Sequence, residues 1–268
     1  MNKNFINLSV NLNKIALIRN SRPGNNPNLI DYVKKIIGLG VNGITVHPRP
    51  DQRHIRPEDC QEISSLIKNI LLADPTKKKV EFNIEGNPFA SSFTKTRPEF
   101  SDYPGFINIL ESYKPDQATL VPDNNQQLTS DHGFDLSGDT SNLEAVISDI
   151  KKIGCRVSLF MDTDIDQISK AKEIGADRIE IYTGPFAEAF DINNFDSIFE
   201  KHCVASEHAK RIGLGVNAGH DLNLKNLLVY RNLPFLEEVS IGHALIIDSL
   251  NYGLDETIKK YIEVLNYC

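Results

Sequence analysis

Along the chain, short runs of β-branched and other apolar residues alternate with longer stretches whose apolar positions recur every three or four residues. Eight runs have strand length: Leu8–Asn13 (LSVNLN), Gly43–His47 (GITVH), Val80–Glu85 (VEFNIE), Gln117–Val121 (QATLV), Arg156–Met161 (RVSLFM), Arg178–Tyr182 (RIEIY), Leu214–Asn217 (LGVN) and Glu238–Gly242 (EVSIG). The intervening stretches carry helix signals. Asn28–Leu39 follows Pro27 and closes at Gly40, and Pro57–Leu72 opens on a proline followed by Glu58 and Asp59, which suit a helix N-terminus. Further helices are predicted over Phe106–Tyr113, Ser141–Ile153, Ile165–Ile174, Asn194–Ile212, Leu222–Asn232 and Asp255–Leu265, several of them ended by a glycine.

Strands and helices in strict alternation predict a parallel sheet, and 268 residues fit one α/β (β/α)8 TIM barrel. An open doubly wound sheet also alternates, but it usually carries G-x-G-x-x-G after its first strand. Here that strand runs into NLNKIALIRNSRPGNN. With no linker and no low-complexity tract, residues 1–268 read as a single domain.

Composition narrows the partners. The net charge of −7 argues against nucleic acid, which favours a basic face, but not against small phosphorylated molecules met by a few local arginines. No apolar run reaches the length of a membrane helix, and the N-terminus lacks the pattern of a signal peptide, so a cytoplasmic location is expected. Cys60, Cys155, Cys203 and Cys268 form no C-x-x-C pair and are expected as free thiols, with Cys60 and Cys155 in the core. No metal-binding motif such as H-E-x-x-H occurs. A metal gathered by histidines from different strands is the lesser alternative.

In this fold, chemistry sits at the C-terminal ends of strands. Asn11 and Asn13 end the first, and His47 ends the second with Arg49 and His54 in its loop. Glu85 ends the third, Thr129 follows the fourth, His220 the seventh and His243 the eighth. Each has a plain reading: His47 as a core histidine, and Arg49, Arg53 or Arg56 singly as solvated loop charges. Glu85 resists one, because a carboxylate in an apolar strand needs a partner or a task. The glycines before His220 and His243 let backbone N–H groups approach a ligand, and the loops after strands seven and eight recurrently hold phosphate. Together these residues suggest acid–base chemistry on an anionic substrate.

The segments SVNLNKIALIRNSR, GITVHPRPDQRHI, FNIEGNP, TLVPDNNQQLTSDHG, VSLFMD, IEIYTGPFA, VNAGHDLNLKN and SIGHALI resemble, in order and over nearly the whole chain, the strand-end motifs of the pyridoxine 5'-phosphate synthase family. The resemblance implies a (β/α)8 barrel with extra helices, assembled as a homo-octamer. It implies condensation of 3-amino-2-oxopropyl phosphate with 1-deoxy-D-xylulose 5-phosphate to pyridoxine 5'-phosphate, inorganic phosphate and water, without metal or organic cofactor. It also implies His47 and Glu85 as proton acceptors and His220 as proton donor. Asn11, Arg22, the Asp221 backbone, Gly242 and His243 would contact the aminoketone phosphate, and Arg49, His54 and Thr129 the pentulose phosphate. Three positions depart from the family pattern. Asn13 and Lys14 stand where the family often has Asp-His beside the pentulose phosphate, and Asp221 stands where some members have glycine. The residues by themselves leave two alternatives open: another phosphate-handling barrel, such as an isomerase or an aldolase using Lys14, and a non-catalytic binder of a phosphorylated ligand.

Overall fold

The computed structural model describes residues 5–266 apart from 77, 96 and 125; Cys268 lies outside the described residues. Eight strands close into one parallel barrel in chain order: β1 (Asn7–Asn11), β2 (Gly43–Val46), β3 (Glu81–Gly86), β4 (Gln117–Leu120), β5 (Arg156–Met161), β6 (Arg178–Tyr182), β7 (Gly215–Gly219) and β8 (Leu236–Ile241). Closure is made by β8 pairing with β1, Leu8 opposite Val239 and Val10 opposite Ile241.

Around the barrel lie α2 (Leu29–Gly38), α3 (Pro57–Ala73), α4 (Phe106–Tyr113), α5 (Ser141–Lys152), α6 (Ile165–Glu173), α8 (Asp196–Arg211) and α11 (Leu254–Asn266). Local chemistry fixes their starts. The Asn28 carboxamide accepts from the Ile30 and Asp31 N–H groups ahead of α2, and the Asp164 carboxylate does the same for Asp166 and Gln167 in α6. Three further helices were not predicted segment by segment: α1 (Asn13–Asn20), α7 (Gly184–Asp191) and α10 (His243–Tyr252). The predicted helix over 222–232 shrinks to α9 (Leu227–Tyr230). There Asn223 and Asn226 tie the preceding backbone into turns with their side chains.

The hydrophobic core is the annulus between strands and helices. Leu8 and Val10, Ile44 and Val46, Val157 and Leu159, Ile179 and Ile181 are fully buried and alternate with residues that point into the barrel. Burial of each such side chain contributes about 1.5–3 kcal/mol. The barrel interior is polar by contrast. Ser9 Oγ lies 2.7 Å from Thr45 Oγ1, Asn83 bonds Thr45 and Thr119, and Asn217 bonds Glu238. The fold rests on the outer annulus, and the interior is free to carry groups aimed at the mouth. Cys60 and Cys155 are buried free thiols, as expected, and Cys203 is half-buried.

Candidate active site

The C-terminal ends of the strands open into a cavity of about 200 Å³. Asn11, Asn13, Lys14, His47, Arg49, His54, Glu85, Thr129, His220, Asp221, Gly242 and His243 all line it. Arg22 does not. It stays exposed in the turn after α1, away from the other predicted contacts.

On the β2–β4 side the functional groups are buried and braced. Asn11 ends β1, and its carboxamide accepts from the Asn13 N–H at 3.0 Å while donating to Glu85 Oε2 at 3.2 Å. The predicted first strand runs to Asn13, but the chain turns into α1 there: Leu12 already has helical angles, and the Asn11 carboxamide takes up the first free N–H. Asn13 in turn accepts from the His47 N–H at 2.9 Å, which fixes the end of β2. His47 Nδ1 stands 3.9 Å from Glu85 Oε2, beyond a hydrogen bond. Arg49, predicted singly as a solvated loop charge, is instead buried against the Asp123 carboxylate, which also accepts from Ser130 Oγ at 2.7 Å. The loop carrying His54 is gripped from α1. Asn20 donates to the Gln52, Arg53 and His54 carbonyls, and Arg19 binds both Asp59 and the His54 carbonyl.

Burial dominates the protonation of this half. It lowers His47 well below the usual imidazole range, assisted by the positive charges of Arg49, His54 and Arg53. His54 falls to about 3 for the same leading reason, with Arg49 adding to it. Glu85 moves the other way, well above the carboxylate range, because it is desolvated and faces Glu180 and Asp123; Arg49 and Asn11 oppose the shift. Burial thus favours the uncharged form of each group, the neutral imidazole of His47 and the protonated carboxyl of Glu85.

The β7–β8 side is open. His220 follows β7, with Nε2 2.7 Å from Thr129 Oγ1 and Nδ1 2.7 Å from Asp221 Oδ2. The Tyr182 ring meets the imidazole edge-on at 5.4 Å. Both His220 (φ 82°) and Asp221 (φ 56°) occupy the left-handed region, where histidine and aspartate are tolerated better than most residues. Past β8, Gly242 leads directly into α10, so the N–H groups of that helix start at the cavity wall and suit an anion.

Glu180 went unread in the sequence. In RIEIY, Ile179 and Ile181 face the core, so Glu180 faces the barrel interior beneath the cavity, and that alternation was the available signal. Burial and the nearby Glu238 raise it to about 8. Gly219 makes room for it: a Cβ there would fall 2.0 Å from Glu180 Oε1. Asp123 and Ser130, which brace Arg49, were likewise missed, since their loop has no periodicity. Among the described residues, no three or more His, Cys, Asp or Glu side chains are grouped to hold a metal, and no helix is long and apolar enough to cross a membrane.

Residues 8–267 match the family described as pyridoxal phosphate biosynthesis protein PdxJ. The chain belongs to that family. Among PdxJ relatives, pyridoxine 5'-phosphate synthase of Xanthomonas axonopodis pv. citri is 47% identical over 259 residues, covering 96% of each chain. The protein of the same name from Xylella fastidiosa is 45% identical over 260 residues, covering 97% of this chain and 94% of its own. Solved structures share the barrel at low identity. Mycobacterium tuberculosis tryptophan synthase aligns with a TM-score of 0.60 at 10% identity, covering 99% of this chain and 95% of that one. Vibrio cholerae 3-keto-L-gulonate-6-phosphate decarboxylase gives 0.55 at 11%, covering 96% and 99%. This PdxJ chain is thus an enzyme of a vitamin B6 biosynthetic family built on a common barrel.

Proposed function

We propose that this chain is a pyridoxine 5'-phosphate synthase, joining 3-amino-2-oxopropyl phosphate to 1-deoxy-D-xylulose 5-phosphate with release of inorganic phosphate and water. The observation that carries this reading is the convergence of His47, Glu85 and His220, from the ends of β2, β3 and β7, on one cavity of a chain 47% identical to a protein of that name.

The condensation needs several proton transfers at different atoms. Neutral His47 accepts a proton without first losing one. Burial favours the neutral form of Glu85, and the cationic amine of the aminoketone turns it into an acceptor, because a nearby positive charge favours the carboxylate. His220, on the opposite side, donates to a departing hydroxyl. Two phosphates need two anion sites. Asn11, the Asp221 backbone, Gly242 and His243 gather around one. Arg49, His54 and Thr129, with Asn13 and Lys14 beside them, gather around the other. His54 Nδ1 already accepts from the Ile55 N–H at 2.9 Å, so Nε2 is the nitrogen that faces a ligand. Arg22, exposed in the monomer, is assigned to the aminoketone phosphate by family pattern alone, and assembly into a homo-octamer is proposed on the same basis.

The test mixes purified protein with both substrates in the presence of chelator and follows phosphate release and product mass. Pyridoxine 5'-phosphate formed only when both substrates are present supports the reading. Absence of product from folded protein overturns it.

A further inference from the structure

His220 is held from three directions. Thr129 meets Nε2 from the loop after β4, Asp221 meets Nδ1 from the adjoining residue, and Tyr182 of β6 packs against the ring. The Asp221 contact comes at a conformational cost, because two consecutive non-glycine residues sit at positive φ. Glycine would satisfy that backbone without strain, yet the chain carries a carboxylate there. The surrounding structure over-determines its place: the Asn226 carboxamide, fully buried, donates to the Asp221 carbonyl at 3.0 Å, and Thr183 Oγ1 donates to the His220 carbonyl.

We propose that the Asp221 carboxylate is a positioning residue for His220, fixing Nδ1–H toward itself so that Nε2 is the nitrogen that exchanges its proton with substrate. The proposal rests on the reading of His220 as proton donor. In the donating step the Nε2–H bond breaks, its electron pair stays on nitrogen, and the proton goes to the departing oxygen, which leaves as water with the electron pair of its C–O bond. Nδ1 keeps its proton throughout, and the imidazolium before transfer is stabilised by the adjacent anion. His220 holds the Asp221 carboxyl below its usual range, with smaller contributions from His243 and Lys14. The other ionisable groups on this side are Tyr182, facing His220 from β6, and Asp131, Asp162 and Glu188, which act on Tyr182. None of these three acids is hydrogen-bonded to the His220 ring, so Asp221 is its directly bonded anion.

The test compares the parent chain with Asp221→Asn and Asp221→Gly. Phosphate release is followed across pH, and the His220 imidazole is titrated by NMR, assigned with His220→Gln. Both variants are expected to lose roughly tenfold to a hundredfold in kcat, with KM for either substrate changed by less than about threefold. The alkaline limb of kcat, where the donor loses its proton, is expected to move to lower pH together with the NMR titration of His220. Asp221→Gly should melt no lower than the parent, since glycine relieves the positive φ, so lost activity there is not lost folding. An unmoved His220 titration and alkaline limb overturn the positioning role. A parent without turnover overturns the synthase reading instead, and the NMR titration then decides the dyad alone.

Discussion

The two sides of the barrel mouth present similar side chains in opposite surroundings. On the β2–β4 side, His47, His54 and Glu85 are each less than a tenth exposed, and burial is the leading cause of every protonation shift there. On the β7–β8 side, the His220 side chain is 21% exposed and Asp221 47%, and direct contacts do the organising. A buried group takes its protonation state from the whole environment and keeps it until a charged ligand arrives. A group in the open depends on one neighbour and is tuned by changing that neighbour. The proposed division of labour between acceptors on one side and a donor on the other would draw on this contrast.

The largest expected effect is on the buried side. Glu85→Gln keeps the shape and leaves the Asn11 carboxamide an oxygen to donate to, but removes a group that can both hold and release a proton. Turnover should fall by roughly 10²–10⁴-fold with the melting temperature unchanged or raised. Phosphate release and calorimetry on the same sample decide this, and a retained rate removes Glu85 from the chemistry.

Next comes the brace. Asp123→Ala strands the Arg49 guanidinium, 6% exposed, without its anion. Breaking a buried pair in this way costs about 3–5 kcal/mol, to be read from denaturant unfolding. Thr129→Val, on the exposed loop facing His220, should change stability by less than about 0.5 kcal/mol. Equal costs for the two substitutions would show that the buried contact is worth no more than the exposed one.

Glu180 extends the buried side into the barrel interior and gives it a pH dependence. Its folded pKa is raised from 4.5 to about 8, so the unfolded chain releases this proton first as pH rises. Its contribution is fully present below about pH 4.5 and is lost progressively up to pH 8. Glu180→Gln should therefore leave the melting temperature unchanged at pH 4.5 and raise it increasingly toward pH 8. The plateau gain is on the order of a few kcal/mol, since each tenfold difference in proton affinity between the folded and unfolded chain is worth about 1.4 kcal/mol. A gain that is equal at both pH values contradicts the raised pKa.

The fold was legible because its two signals are local. Short β-branched and apolar runs marked all eight strands to within two residues at every end, and terminal glycines marked helix ends such as Gly40 and Gly154. The start of α1 was not legible, since it depends on the Asn11 side chain capping a neighbour rather than on apolar spacing. The strand-end rule brought His47, Glu85, His220 and His243 to one cavity because barrel closure carries every strand end to the same mouth. Arg49 in its loop reads as solvated until Asp123, 74 residues away, is placed against it. Glu180 was hidden because a carboxylate in RIEIY looks like the polar face of a strand turned to water, and only a closed barrel turns that face inward. Arg22 rests on resemblance alone, and among the described residues no contact draws it to the cavity.

The smallest effect tests whether the two sides are mechanically joined. Gly242 belongs to the open side, yet a Cβ added there would lie 3.0 Å from the Asn11 Cβ and 3.3 Å from its Cγ. Its φ of −124° lies outside the left-handed region that favours glycine. The obstacle is that Asn11 cannot retreat freely, because its carboxamide is committed to Glu85 on one side and to the Asn13 N–H on the other. Overpacking of this kind costs about 1 kcal/mol when neighbours yield by a few tenths of an ångström. Gly242→Ala should therefore raise KM for the aminoketone phosphate by roughly three- to tenfold, as the wall of its phosphate site shifts, an effect of about 1 kcal/mol. If the methyl also disturbs the Asn11–Glu85 bond, kcat falls with it and its pH profile moves, showing that a change on the open side reaches the buried carboxyl through one asparagine. If KM alone changes, Asn11 yields without releasing Glu85, and the two halves of the mouth act independently.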